Sequence, residues 1–272
     1  MKKIIFILIM VSFLEASHEN MGGTPVAQAL SLSYVAMAQG AGAIPFNPAG
    51  LPLGDKMEAL TYYRILYGGL GERFASYGLY VKYGNIGIGI EEKGAMLEGD
   101  YEGKYDEGLY SLSGGSPLSS NLLAGLNLNL YKFQDPRFGT SYSFGADVGL
   151  LANITKVFRV GAFYRNITLS RIRGDKLPSY LDAGISMHSG DFSSTSLTFH
   201  MSPDYGPGVA LGEQISLFKG LLILRGGIYS EEDLKKFSFG IGIHKAGFHF
   251  DYAVISTEGL PLSHSFGILY RR

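Results

Sequence analysis

Residues 126–130 read Leu-Asn-Leu-Asn-Leu, and residues 142–150 read Tyr-Ser-Phe-Gly-Ala-Asp-Val-Gly-Leu. Both stretches alternate between an apolar residue and a polar or small one. Because successive side chains of a β-strand point to opposite faces, each stretch predicts a strand with one apolar and one polar face. The same alternation recurs in residues 158–165, 237–244, 248–254 and 265–271, with Leu269 as an exception. The sequence therefore predicts an all-β protein.

The content of the two faces distinguishes a soluble sheet from a membrane barrel. A soluble sheet that faces water is expected to carry Lys, Glu and Thr on its polar face, whereas here that face is largely Gly, Ser and Asn. The apolar face carries many Tyr and Phe residues. This distribution favours a barrel with lipid outside and a small or polar lumen inside. Because lipid offers the backbone no hydrogen-bond partners, such a sheet must close on itself.

Fourteen segments carry the strand pattern, and an even number is typical of single-chain bacterial barrels. They are 58–68, 73–83, 85–92, 104–113, 121–133, 141–153, 156–168, 179–188, 193–201, 208–217, 220–230, 235–244, 247–255 and 263–271. We therefore expect a transmembrane antiparallel β-barrel of about 14 strands over residues 57–272. Glu213 falls on the apolar side of its segment, which predicts a bulge or a position near the membrane interface.

Composition excludes several classes of function. The formal net charge of the 272-residue chain is -1, so nothing indicates a basic surface for nucleic acid. The absence of cysteine from the sequence excludes disulfides, thiolate metal sites and cysteine nucleophiles. Glycine is present 38 times in the 272 residues, roughly double its usual frequency.

The N-terminus has the pattern of an export signal. Lys2 and Lys3 precede an apolar run over residues 4–14, and Ala16 offers a small residue for cleavage. This order of a basic, an apolar and a small-residue region predicts a cleaved signal peptide over residues 1–16. The apolar run is too short to cross a bilayer as a helix, which takes about 20 residues.

Residues 17–56 do not alternate, and they are rich in Gly and Ala. They end in Phe46-Asn47-Pro48-Ala49-Gly50-Leu51-Pro52. Together with residues 35–38 and 43–44, this stretch resembles the N-terminal signature of the PorV/PorQ-like outer-membrane proteins, within the broader class of FadL-like 14-stranded barrels. The resemblance implies that residues 17–56 fold back into the lumen as a plug, with Asn47, Pro48, Ala49, Gly50 and Leu51 as its motif residues. A simple turn into the first strand is a compatible second interpretation.

Several polar residues fall on the face that the alternation assigns to the lumen. The candidates are Asn127, Asn129, Asp147, Arg159, Arg165, Asp182, His249 and Asp251. A narrow barrel must pair or hydrate such groups. We expect most of them to form a structural network, and a polar constriction that selects what passes is the alternative.

No catalytic constellation is recognisable. His249 and Asp251 lie two residues apart on one face, but two ligands are too few for a metal site. No Gly-x-Ser-x-Gly sequence stands in the order with His and Asp that a hydrolase requires. We therefore expect a protein that is not an enzyme and has no cofactor.

Two classes of function remain, and both follow from the resemblance. FadL-like barrels imply the binding or passage of hydrophobic small molecules across the outer membrane of a two-membrane bacterium. PorV implies instead a scaffold or shuttle component of a protein secretion system. The expected partners are outer-membrane lipid, a hydrophobic small-molecule ligand, and secretion or envelope proteins.

Overall fold

The fold is described from a computed structural model. It describes His18 and residues 22–69, 74–97, 103–203, 206–232 and 234–272. The predicted signal peptide, residues 1–16, lies outside the described residues. Within the described ranges, no helix combines the length and the apolar character needed to cross a membrane.

The chain forms a closed antiparallel barrel of 14 strands, as the alternation predicts. Strand β16 pairs with β1 and closes the barrel, with Glu58 opposite Arg271 and Ile65 opposite His264. The strands are β1 (Met57–Ile65), β2 (Ala75–Tyr83), β3 (Ile86–Leu97), β4 (Gly103–Pro117), β5 (Leu122–Asp135), β6 (Gly139–Asn153), β7 (Phe158–Arg165), β8 (Arg171–Ile172), β9 (Asp175–Lys176), β10 (Tyr180–Ser189), β11 (Ser193–Met201), β12 (Gly208–Leu217), β13 (Leu222–Glu231), β14 (Leu234–Lys245), β15 (Phe248–Thr257) and β16 (Ser263–Arg271). Strands β8 and β9 pair only with each other and lie outside the barrel sheet.

The alternation assigns the two faces of the wall correctly. Leu126 and Leu128 are 44% and 53% exposed on the outer surface, whereas Asn127 and Asn129 are 1% and 3% exposed. Large apolar side chains therefore cover the outside of the barrel, and polar side chains are buried inside it.

Three local features differ from the sequence-based expectation. Strand β7 ends at Arg165 rather than at residue 168, because the chain then turns into the β8–β9 hairpin. That hairpin turns through Arg173 and Gly174, whose φ values of 57° and 92° suit a tight two-residue turn. Glu213 lies in a strand without a bulge and accepts a hydrogen bond from Thr195 on β11, so of the two expectations only the position near the membrane interface stays a prediction.

Residues 22–54, here called the inner segment, lie inside the barrel. The segment contains helix α1 (Pro25–Ala29) and two 3-10 helices (Gly40–Ala43 and Pro48–Leu53). Helix α1 packs against β13 to β16, and the second 3-10 helix packs against β4 to β6. The segment touches the remaining strands through the first 3-10 helix and residues 30, 33, 35, 36, 44 and 47. A segment can contact all 14 strands of a closed barrel only from within the lumen.

Glycines of the wall provide the space for the inner segment. A methyl group on Gly125 would lie 2.2 Å from the Ala49 nitrogen, and one on Gly227 would lie 2.4 Å from the Leu30 carbonyl carbon. Both distances are far below a van der Waals contact. The other wall glycines whose added methyl would lie closer than 3.0 Å to an atom of the inner segment are Gly87, Gly115, Gly149, Gly161, Gly184, Gly240 and Gly267. The high glycine content therefore lets the wall approach the backbone of the segment.

Replacing Gly125 by alanine is expected to destabilise the protein. The new methyl group meets backbone atoms of Pro48 and Ala49, which cannot rotate away. Overpacking of this kind costs about 1–3 kcal/mol. The measurement is urea unfolding of the refolded barrel. The folded fraction at each urea concentration is read from the shifted mobility of the folded barrel on unheated gels.

The matched control is Gly114→Ala on neighbouring strand β4, where an added methyl has nothing within 4 Å. We expect Gly114→Ala to unfold at the same urea concentration as the wild type. Equal stability of the two variants would contradict the close contact between wall and inner segment.

Candidate functional site in the barrel lumen

Asn47 joins the inner segment to the wall. Its side chain is completely buried, and its Nδ2 donates to the carbonyls of Leu150 on β6 (3.0 Å) and Ala162 on β7 (3.4 Å). The same nitrogen lies 3.1 Å from the Val35 carbonyl, and Oδ1 accepts from the Ala49 N–H. One amide side chain therefore connects two parts of the segment with two strands.

The backbone conformation at and after Asn47 follows from the types of residue at these positions. Asn47 is extended (φ -170°, ψ 95°), as expected for a residue before proline, and Pro48 begins the 3-10 helix. A methyl group on Gly50 would lie 2.1 Å from the Ala38 carbonyl oxygen, so only glycine fits there. Ala49 and Leu51 are fully buried. Asn47, Pro48, Ala49 and Leu51 therefore lie at the packed boundary between segment and wall, whereas Gly50 packs against the segment itself.

Asp147 is the centre of a buried polar network. Its Oδ2 accepts from the side-chain nitrogens of Asn127 (3.0 Å) and Asn129 (2.8 Å), and its Oδ1 accepts from the Asn166 N–H (2.8 Å). Three donors satisfy the carboxylate, so its negative charge is tolerated in the lumen. Asn127 also donates to the Ile44 carbonyl at 2.9 Å, which links the network to the inner segment.

Arg165 contacts the same part of the segment. Its NH2 group donates to the Pro45 carbonyl at 2.6 Å, and the side chain is 5% exposed. The guanidinium carbon lies 5.4 Å from the centre of the Tyr180 ring. The structure therefore brings together Asn127, Asn129, Asp147 and Arg165 of the predicted lumen residues.

The other predicted lumen residues lie elsewhere. Arg159 donates to Asn153 at the end of β6, and Asp182 pairs with His200 at 2.6 Å. Their hydrogen-bond partners, Asn153 and His200, lie outside the Asp147 network, so the predicted lumen residues form separate groups rather than one site.

His249 and Asp251 belong to a further group on β13 to β15. The His249 ring stacks on His244 with 3.7 Å between ring centres. Asp251 accepts from Arg225 at 2.7 Å and lies 3.3 Å from the His244 ring nitrogen. In the part of the chain that the structure describes, no group of three or more acidic or histidine side chains could hold a metal ion.

Sequence reasoning missed a polar group around His18. The His18 backbone N–H donates to Glu107 at 2.8 Å, and Lys93 pairs with Glu107 at 2.7 Å. Burial lowers the pKa of the His18 imidazole, although the Glu107 carboxylate acts in the opposite direction. The inward positions of Lys93 and Glu107 could have been read from strand parity, but the alternation in β4 is weak.

An apolar depression of about 630 Å³ lies on the outer wall between β3 and β6. Its apolar lining includes Ile88, Ile90, Leu112, Leu128 and Phe144. The outward side chains of four neighbouring strands form it, so it faces the surroundings of the barrel rather than its lumen.

Comparisons with known proteins identify the fold. No protein-family model matches the sequence, and a search of curated proteins found no match. The CymD monoaromatic hydrocarbon channel has a TM-score of 0.69 at 14% identity, over 93% of this chain and 98% of that one. The Ralstonia pickettii toluene transporter TbuX has a TM-score of 0.63 at 13% identity, over 93% and 99% of the two chains. A Pseudomonas aeruginosa FadL homologue has a TM-score of 0.62 at 11% identity, over 91% and 98%.

These similarities show that the fold is that of the FadL-like barrels. They give no support to the finer resemblance to PorV and PorQ. The alternative of a secretion scaffold, which follows from that resemblance, is likewise unsupported.

Replacing Asn47 by alanine is expected to loosen the inner segment. The change removes the donor shared by the carbonyls of Leu150 and Ala162, and unpaired buried groups cost about 1–3 kcal/mol. We expect faster hydrogen–deuterium exchange of the amides of residues 46–51, with strand amides unchanged. Mass spectrometry of peptic fragments measures this exchange.

The matched control is Asn121→Ala, because Asn121 is exposed in the turn between β4 and β5. This variant should exchange like the wild type. Slow, unchanged exchange in Asn47→Ala would show that the side chain does not anchor the segment.

Proposed function

We propose that the protein is an outer-membrane channel that binds and passes small, largely apolar molecules, with the inner segment as its plug. The observation that carries the proposal is a FadL-like barrel whose lumen is occupied by a separate segment of the same chain. The similar structures are those of a monoaromatic hydrocarbon channel and a toluene transporter, which supports transport rather than catalysis.

The outer surface supports a location in the outer membrane of a two-membrane bacterium. Phe144, Phe237, Phe239 and Phe250 are 77%, 59%, 52% and 52% exposed on the outside of the wall. Such an apolar surface is unfavourable in water and favourable in lipid. Every barrel strand has two hydrogen-bonded neighbours, which meets the requirement that lipid places on the backbone.

The way in which the inner segment is attached supports its role as a movable plug. Wall side chains join it to the barrel: Ser186, Ser196, Ser238 and Ser265 each donate a hydroxyl to a carbonyl of the segment. Such bonds contribute about 0.5–1.5 kcal/mol each and can exchange partners. The segment can therefore shift while the strand ladder of the barrel remains intact.

Uptake of radiolabelled toluene by cells that carry the protein in their outer membrane tests the proposal. Cells with the wild-type protein should accumulate toluene several-fold faster at early times than cells with an empty vector. Equal rates, with the barrel shown to be folded in the membrane, would contradict a channel for small apolar molecules.

Locking the inner segment to the wall should block passage. The hydroxyl oxygens of Ser31 and Ser238 lie 2.7 Å apart, so Ser31→Cys combined with Ser238→Cys places two thiols within reach of a disulfide. The natural sequence contains no cysteine, so no other thiol interferes. Oxidation should lower toluene uptake to the empty-vector rate, and reduction should restore it.

The single variant Ser31→Cys is the control, since it should be insensitive to oxidation. Uptake that persists in the fully oxidised double variant would show that toluene passes without movement of the segment at this point.

A further inference from the structure

Two wall side chains hold consecutive carbonyls of the inner segment. Asn127 on β5 donates to the Ile44 carbonyl at 2.9 Å, and Arg165 on β7 donates to the Pro45 carbonyl at 2.6 Å. Both side chains are almost fully buried. Residues 44–47, which include Asn47, are therefore held to the wall by donors that recognise carbonyl oxygens.

These two side chains also retain unused hydrogen-bonding capacity. Among the described residues, the Arg165 Nε and the Asn127 Oδ1 are buried and have no hydrogen-bond partner. A buried polar group without a partner destabilises the fold, and native proteins keep few of them. Both atoms belong to side chains that already bind the segment. This boundary can therefore make hydrogen bonds that the inner segment does not use.

The charges around Arg165 determine which ligand suits it. Among the described residues, the Arg165 guanidinium forms no ion pair with a carboxylate, although Asp147 and Glu91 both act on it at longer range. Two carboxylates thus already contribute negative charge around this one cation. A ligand that adds another negative charge would meet like charges, which is costly inside a protein. A neutral hydrogen-bond acceptor avoids this cost.

Aromatic surfaces lie next to the donors. The Arg165 guanidinium carbon is 5.4 Å from the centre of the Tyr180 ring and 5.7 Å from that of Phe163. Tyr131, on the same strand as Asn127, is also buried. Faces and edges of such rings pack well against another flat ring.

We propose that the ligand is a compact neutral aromatic molecule that carries a carbonyl oxygen, and that this oxygen competes with the carbonyls of Ile44 and Pro45 for Asn127 and Arg165. The inference rests on the proposed function and narrows its substrate class. Exchange of one carbonyl for another keeps the donors paired and frees residues 44–47 from the wall. A pure hydrocarbon such as toluene has no acceptor, so it can pass only without this exchange of carbonyls, and we expect it to bind less tightly at these donors.

Three probes of nearly equal shape test the proposal: isopropylbenzene, acetophenone and benzoate. They share one ring and differ in whether the substituent is a hydrocarbon, a neutral carbonyl or an anion. Binding is measured by titration calorimetry on the full purified barrel in detergent. We expect acetophenone to bind about tenfold more tightly than isopropylbenzene, which corresponds to about 1.4 kcal/mol. Benzoate should bind more weakly than acetophenone.

Hydrogen–deuterium exchange provides a second readout on the same samples. The amides of Phe46 and Asn47 both donate to the Ala43 carbonyl, so they report on residues 44–47. Acetophenone should accelerate their exchange, whereas isopropylbenzene and benzoate should not.

Variants assign the effect to the two donors. Arg165→Gln and Asn127→Leu should each lower the affinity ratio of acetophenone to isopropylbenzene, since each change weakens or removes one of the two donors. Arg159→Gln is the matched control, because Arg159 donates to Asn153 and lies outside this group. It should retain the wild-type ratio.

The ranking of the three probe affinities on the wild-type barrel tests the proposed ligand class even where a variant does not fold. Equal affinity for acetophenone and isopropylbenzene, or tightest binding of benzoate, would overturn the inference while leaving a channel in place. No binding of any probe would overturn the proposed function together with it.

Discussion

Close contact between wall glycines and the backbone of the inner segment is the constraint on which the rest of the structure depends. A single methyl group at Gly125, Gly227 or Gly240 would lie 2.2–2.4 Å from an atom of the segment. The wall can approach so closely only where it has no side chain. The inner surface of the wall is therefore complementary in shape to this particular segment, and the small residues of the segment allow the close contact.

The same fit explains how polar groups are tolerated inside the barrel. Turns and short helices leave many carbonyls of the inner segment without partners within the segment. Wall side chains supply them: serines donate to residues 23, 29, 33 and 36, and Asn127 and Arg165 donate to residues 44 and 45. The polar face predicted from the sequence thus serves mainly to bind the backbone of the segment. Its isolated charges, such as Asp147, are stabilised within that arrangement.

Much of this architecture follows from the sequence because it depends on strict period-two alternation. The 14 barrel strands and the direction of Asn127, Asn129 and Asp147 could be predicted, since neither requires knowledge of distant contacts. The β8–β9 hairpin could not be predicted, because its strands are two residues long and its Arg173-Gly174 turn lacks the usual Asn-Gly signal. The sequence likewise could not separate Arg165 from Arg159, although both face inward. Their different roles depend on which of them lies beside Pro45, and that contact spans 120 positions of the chain.

The most direct test of a lumen filled by residues 22–54 is the ionic conductance of the purified wild-type protein in a planar lipid bilayer. A barrel whose wall contacts the segment on every strand should show no steady open-pore current at moderate voltage and high salt. A constant ohmic current from single wild-type molecules would mean that water and ions pass freely beside the segment. That result would contradict the close fit from which the site and its proposed function are argued.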